Sequence, residues 1–196
     1  MRVIGGTARG VPLRAPPGLR TRPTPDRVRE ALFSSIAAEV AGADVLDLFA
    51  GSGALGIEAL SRGAATAVFV DSDRRAARAI AANLTTTRLE TRGRVVQADA
   101  AAVAGTPRLL GDPAPAFGLV FCDPPYAEPL PRLTALLDRL RGGGVLAPDA
   151  LVVVERDRRD PALGQRLPSF LDHVRDRTYG DVLVRMMRVA MTERGS

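Results

Sequence analysis

Residues 44–61 read DVLDLFAGSGALGIEALS. The run carrying Val45, Leu46, Leu48 and Phe49 has the length and composition of a short buried strand. It passes directly into Gly51-Ser52-Gly53-Ala54-Leu55-Gly56 and then into a helix that reaches about Arg62. Strand, tight glycine turn and helix form the opening unit of an open α/β sheet. The same rhythm recurs downstream. Residues 67–70, 94–97, 118–122 and 151–155 read as further apolar strands, and residues 74–84 and 130–140 carry helical spacing. Uniformly apolar strands alternating with helices predict a parallel sheet covered on both faces. Residues 173–178 and 181–189 alternate like a hairpin around Tyr179-Gly180. The expected fold is α/β: a doubly wound, mostly parallel sheet of seven strands closed by a C-terminal β-hairpin.

The chain has 196 residues, 46% of them apolar and 25% charged, enough for one core without disulfides or metals. A single cysteine, Cys122, excludes an intrachain disulfide and a multi-cysteine metal cluster. No apolar run approaches the roughly 20 residues of a membrane span, and the N-terminus lacks a signal-peptide pattern. A cytoplasmic protein, monomeric and independent of membranes, is expected.

Charge is unevenly placed. All 27 basic residues are arginine, and residues 1–30 hold Arg2, Arg9, Arg14, Arg20, Arg22, Arg27 and Arg29 against only Asp26 and Glu30. Acids and arginines balance over the rest of the chain, so the whole formal charge of +5 lies in this first stretch. A basic segment on a neutral body points to a polyanionic partner, nucleic acid above all. The expected organisation is a hairpin-like basic extension over residues 1–24, gripping RNA through Arg2, Arg9, Arg14, Arg20 and Arg22, and a catalytic domain over residues 25–196. Residues 2–4 and 11–14 are its β-like pieces, and removal of residues 1–22 is expected to leave the core in place. Thr24 then caps a helix with Pro25 in its first turn, running to about Glu39 with Val28, Leu32 and Ile36 on one face.

Ligands of such sheets bind outside the carboxyl ends of the strands. Asp47 lies near the end of the first strand, Asp71 and Asp99 follow the second and third, and Asp123 follows the fourth. The glycine loop with Asp71 downstream matches a dinucleotide fingerprint. A carboxylate at Asp47 would repel a pyrophosphate but suits an ammonium group. S-adenosylmethionine has a ribose, an adenine, an ammonium and a sulfonium and no phosphate, and it fits these acids better. Asp123-Pro124-Pro125-Tyr126 adds a stiff loop without two backbone donors. A carboxylate, the Pro124 carbonyl and an aromatic face suit a planar amino group. Cys122 reads as a core residue and His173 as solvated or structural. Arg156, Arg158 and Arg159 fit either an RNA contact or an exposed ion-paired loop.

The segments MRVIGGTARG (1–10), RPTPDRVREALF (22–33), DLFAGSG (47–53) and DPPY (123–126) together resemble the RsmD family of bacterial 16S ribosomal RNA guanine-N2 methyltransferases. The resemblance spans nearly the whole chain. Arginines stand where the family usually has N-terminal lysines, and Asp71 where a glutamate is common. It implies a Rossmann-like methyltransferase sheet, S-adenosylmethionine as cofactor, and 16S ribosomal RNA within a small-subunit particle as partner. Gly51 and Gly53, with Asp47 nearby, would then hold the methionine part, Asp71 the ribose, and Asp99 with Ala100 the adenine. Asp123, Pro124 and Tyr126 would orient the guanine. The competing readings are an N6-adenine methyltransferase, a nicotinamide-dependent oxidoreductase and a non-catalytic RNA-binding module.

Overall fold

The structure is a computed structural model that describes residues 1–16, 26–125, 128–160 and 168–190. Helix α1 (Asp26–Ser35) and the short α2 (Ala37–Val40) precede the sheet. Strand β1 (Asp44–Leu48) leads through the glycine loop to α3 (Ala54–Ser61), followed by β2 (Thr66–Asp71), α4 (Arg74–Thr87) and β3 (Gly93–Gln97). Helix α5 (Ala100–Gly105), a single 3-10 turn at Pro107–Leu110, β4 (Phe117–Cys122), α6 (Leu130–Gly142) and β5 (Leu146–Asp157) come next, and β6 (Leu171–Tyr179) and β7 (Val182–Val189) end the described chain. The strand order is β3-β2-β1-β4-β5-β7-β6. The first five strands are parallel, and β7 runs antiparallel to both β5 and β6. This is the doubly wound sheet with a terminal hairpin that the strand pattern predicts.

Alternate residues of the buried strands feed two cores. Val45, Phe69, Leu119, Phe121, Leu151 and Val153 face one side and pack with α1 and α3. Leu46, Leu48, Val70, Val120, Val152 and Val154 face the other and pack with α5 and α6. Burial of both faces explains why β2 and β4 read as near-continuous apolar runs.

Two local expectations change, and one helix is added. The helix expected to continue to Glu39 breaks at Ile36, where Ser35 Oγ donates back to the Leu32 carbonyl at 2.7 Å and competes with the next turn; Thr24 and Pro25 lie outside the described residues. Strand β5 starts at Leu146 rather than Leu151, with Asp149 in the left-handed region and an irregular register against β4 between them. Helix α5 is capped by Asp99, whose Oδ1 accepts from Ala101 N–H at 2.8 Å.

The largest change concerns the N-terminus. Arg2 and Pro12 form an isolated antiparallel bridge, and residues 17–24 of the expected extension lie outside the described residues. Residues 1–14 are nevertheless laced into the fold instead of standing off it. Val3, Ala8 and Leu13 are buried in the same core cluster as α1 and α3. The buried Glu58 carboxylate of α3 accepts from Ile4 N–H at 2.7 Å and Gly5 N–H at 2.8 Å. Ser61 donates to the Gly5 carbonyl at 2.6 Å and accepts from Ala8 N–H at 2.9 Å. Gly6, at φ +77°, passes so close that a Cβ would stand 1.8 Å from the Ser61 carbonyl oxygen, so no other residue fits there. Arg2, Arg9 and Arg14 are exposed, whereas Arg29 is buried and donates to Asp26 and to the Arg2 carbonyl. Arg29 therefore belongs to the fold and is withdrawn from the charge offered to a polyanion. Arg20 and Arg22 lie outside the described residues.

Candidate functional site

Register decides which acids meet. Leu48 pairs with both Val70 and Cys122, and Asp71 pairs with Gln97. The ends of four parallel strands are therefore flush, with Asp71, Asp123 and the turn at Asp99 along one edge and the glycine loop between them.

The loop is shaped by left-handed backbone at Phe49 (φ 58°), Gly51 (φ 57°) and Gly53 (φ 75°). Gly53 precedes α3 and offers no side-chain cap. Asp47 supplies the missing acceptor from below: its Oδ2 takes the Gly56 N–H at 2.9 Å. This contact needs glycine at 56, because a Cβ there would lie 2.3 Å from the Phe69 ring and 3.1 Å from the Asp47 carboxylate. At 2% exposure Asp47 lies beneath the edge and holds the loop rather than presenting its carboxylate on the surface. Burial raises its pKa well above the ordinary carboxylate value, opposed by the Gly56 N–H and reinforced by the negative charges of Asp123 and Asp71.

Asp71 closes the other side of the loop. Its Oδ2 accepts from Gly51 N–H at 2.8 Å and its Oδ1 from Asp73 N–H at 2.8 Å. Asp99 is exposed beside a cleft of about 300 Å3 lined by Phe49, Asp99, Ala100, Leu133 and Leu136. Glu128, Arg132 and Arg139 line it too, so the cleft offers a flat heteroaromatic ring an apolar wall together with charged partners of both signs.

Asp123 is half-buried and, among the described residues, its carboxylate has no hydrogen-bond donor and no ion-pair partner. Burial pushes its pKa up to about 6. Pro124 is buried behind it and Pro125 is exposed; Tyr126 lies outside the described residues. Beyond them Glu128 N–H donates to the Pro125 carbonyl at 2.8 Å, and the Glu128 carbonyl accepts from Arg156 Nη1 at 2.8 Å.

Arg156 is thus neither an RNA contact nor part of an exposed loop. It is 6% exposed and also donates to Asp160, fixing the far end of the acceptor loop. Its neighbours Arg158 and Arg159 are exposed and meet Asp181, as the ion-paired alternative expects. Cys122 is buried with its thiol pKa pushed up by burial, which makes it inert. His173 pairs with Asp176 at 3.0 Å on the hairpin, away from the edge. Glu58, Ser61 and Asn83 were not foreseen. The signal for Glu58 was present, since an acid on a helix otherwise reading ALGI-ALS has to be buried with a partner.

Together the edge offers carboxylates at Asp71 and Asp123 with Asp47 beneath, and none of the three is in an ion pair among the described residues. Such a set attracts a cationic ligand bearing hydroxyls and repels a phosphate.

Comparison with known proteins agrees. The family model described as "Conserved hypothetical protein 95" matches residues 1–188. The putative rRNA methyltransferase YlbH of Bacillus subtilis is 43% identical over 160 residues, which cover 81% of this chain and 83% of that protein. The ribosomal RNA small subunit methyltransferase D of Escherichia coli K12 is 41% identical over 160 residues, 80% of this chain and 75% of that protein. The solved structure of the putative methyltransferase yhhF from Escherichia coli superposes with a TM-score of 0.82 at 36% identity, covering 98% of this chain and 99% of that one.

Proposed function

The chain belongs to the conserved hypothetical protein 95 family, the RsmD family of ribosomal RNA methyltransferases, and we propose that it transfers a methyl group from S-adenosylmethionine to the exocyclic N2 of a guanine in 16S ribosomal RNA of the small subunit. The observation that carries this reading is Asp123, a desolvated acceptor without a hydrogen-bond or ion-pair partner among the described residues, set by donor-free prolines flush with the glycine loop.

The residues fit the cofactor. Gly51 and Gly53 let backbone come close to the methionine part, Asp71 faces the ribose diol, and Asp99 with Ala100 borders the cleft for adenine. Asp47 serves from beneath, through the loop. When bound, S-adenosylmethionine supplies a methyl on a sulfonium that departs as a neutral thioether. The guanine amino nitrogen is a weak nucleophile because its lone pair is delocalised into the ring. Asp123 and the Pro124 carbonyl take its two N–H bonds, localise that pair and stabilise the positive charge that develops on nitrogen. The methylated nitrogen then loses a proton to solvent. Tyr126 gives the unstacked base a new stacking partner, and Arg2, Arg9 and Arg14, with Arg20 and Arg22, hold the phosphates.

Nucleoside mass spectrometry of 16S RNA and of small-subunit particles, each incubated with the enzyme and a labelled methyl donor, tests the reading. N2-methylguanosine is expected. Label found only in N6-methyladenosine would overturn the guanine assignment, and no label in either substrate would overturn methyl transfer to this RNA.

Two further results are expected. Asp71→Ala, which takes the acceptor from the ribose and from Gly51 N–H together, should weaken cofactor binding by about 1–3 kcal/mol. Calorimetry on a folded variant giving the wild-type affinity would remove Asp71 from the site. The second is a pH effect. Asp123 must be ionised to accept, so kcat/KM should fall as pH drops through about 6. Stability runs the opposite way. A raised carboxyl pKa means the folded protein binds a proton that the unfolded chain lacks between 3.8 and about 6, so this group's contribution rises as pH falls through that window. A pH–rate profile without an acid limb near 6, or an unchanged limb in Asp123→Asn, would contradict this.

A further inference from the structure

Asn83 stands on α4 at 0% exposure. Its Oδ1 accepts from Arg14 N–H at 2.8 Å, and its Nδ2 donates to the Arg14 carbonyl at 2.9 Å and to the Ser52 carbonyl at 2.9 Å. One side-chain amide thus reads both backbone groups of Arg14, as a neighbouring strand would, and ties them to the middle of the glycine loop.

Ser52 sits between two left-handed glycines, Gly51 and Gly53. Such backbone has many alternatives, and the loop keeps one because its neighbours hold it. Asp71 takes the Gly51 N–H on one side. On the other, Ile80, one turn before Asn83 on α4, leaves only 3.2 Å for a Cβ at Gly53. Met1 Sδ lies 3.8 Å from Ser52 Oγ, so the N-terminal segment touches the loop a second time. The peptide between Ser52 and Gly53 is held at its carbonyl by the Asn83 amide and at its N–H by the Ala50 carbonyl, and the Asn83 amide is in turn paired with the Arg14 backbone.

We propose that Asn83 is a positioning residue that couples the seating of the N-terminal segment to the glycine loop, so that RNA and S-adenosylmethionine bind with linked affinities. The inference rests on the reading of Arg14 as a phosphate contact. RNA that fixes the exposed Arg14 side chain narrows the backbone states of Arg14, and through Asn83 those of Ser52. The loop is then already ordered when the cofactor arrives, and its ordering is not charged against cofactor binding a second time. Linkage requires the reverse effect to be equal. Asparagine is needed because the task takes one acceptor and two donated bonds at the same place. Aspartate keeps the acceptor but turns an oxygen against two carbonyls.

The test uses the full chain. S-adenosylhomocysteine affinity is measured by calorimetry without and with a saturating 16S ribosomal RNA transcript. The wild type should bind at least about fivefold more tightly with RNA present, the lower range of allosteric coupling. Asn83→Asp should bring that ratio close to one, and Asn83→Gln, one methylene too long, serves where the aspartate variant does not fold. The ratio distinguishes coupling from general damage, which would weaken both affinities alike. A wild-type ratio of one, or a wild-type ratio kept in either folded variant, overturns the inference. The underlying reading has its own control. Replacing Arg2, Arg9 and Arg14 together by glutamine should reduce the salt slope of log RNA affinity by roughly 2–3 units. An unchanged slope would overturn the phosphate-contact reading, and with it the coupling, whereas a reduced slope with no coupling would sink the role of Asn83 alone.

Discussion

Asp123→Ala is expected to lower turnover by at least about a hundredfold, the effect of removing one acceptor aimed at charge that develops in the transition state. The magnitude follows from where the group sits. Asp123 is half-buried with no partner among the described residues, so water screens its field poorly and no internal hydrogen bond spends it. Its loop cannot replace it, because Pro124 and Pro125 bring carbonyl oxygens but no donors, and a carbonyl carries no net charge. Cofactor affinity should change little, since Asp71, the glycine loop and the cleft at Asp99 remain. Loss of a half-buried negative charge with no cationic partner among the described residues should also leave the variant at least as stable as the wild type. Turnover near the wild-type rate, measured with labelled methyl donor on small-subunit RNA, would end the proposed mechanism.

Removal of residues 1–14 is expected to abolish cooperative folding. The exposed arginines suggested an arm that could be cut away, but the apolar residues between them are core. Withdrawing Val3 and Leu13 from the interior costs about 1.5–3 kcal/mol for each side chain. The heavier loss is polar. Glu58 would keep only its contact with Arg62 and would lose the Ile4 and Gly5 amides while remaining in an apolar helix interface. Breaking a buried charged network of this kind costs about 3–5 kcal/mol. Ser61 loses its bonds to Gly5 and Ala8, and Asn83 loses both backbone groups of Arg14 and keeps the Ser52 carbonyl. The sum reaches the roughly 5–15 kcal/mol by which a domain is stable at all. Thermal unfolding followed by circular dichroism should show no sigmoidal transition for the truncated chain, whereas the triple glutamine variant should melt as the wild type does. A truncated protein that melts cooperatively within a few degrees of the full chain would refute the lacing of this segment into the core.

Local pattern carried much of the fold. Strands β1 to β4 are short, rich in apolar residues and each followed by its helix, so the composition of five or six neighbouring residues sufficed to find them. Their order along the chain placed Asp71, Asp99 and Asp123 after strand ends, and the glycine spacing announced the loop. Those features depend on residues a few positions apart, which one sequence displays directly. What the tertiary structure decided lies between residues far apart in the chain. Glu58 waits for Ile4 and Gly5, Asn83 for Arg14, Arg156 for the Glu128 carbonyl, and Arg29 for the carbonyl of Arg2. In all four the partner is a backbone group, which every residue carries alike, so no side-chain pattern could point to it; Asn83 meets backbone groups at both Arg14 and Ser52. The depth of Asp47 has the same origin. Its place near the end of a strand is written in the sequence, but its carboxylate turns inward because the N–H of Gly56 stands unpaired at the start of α3 and only glycine lets helix and strand come that close.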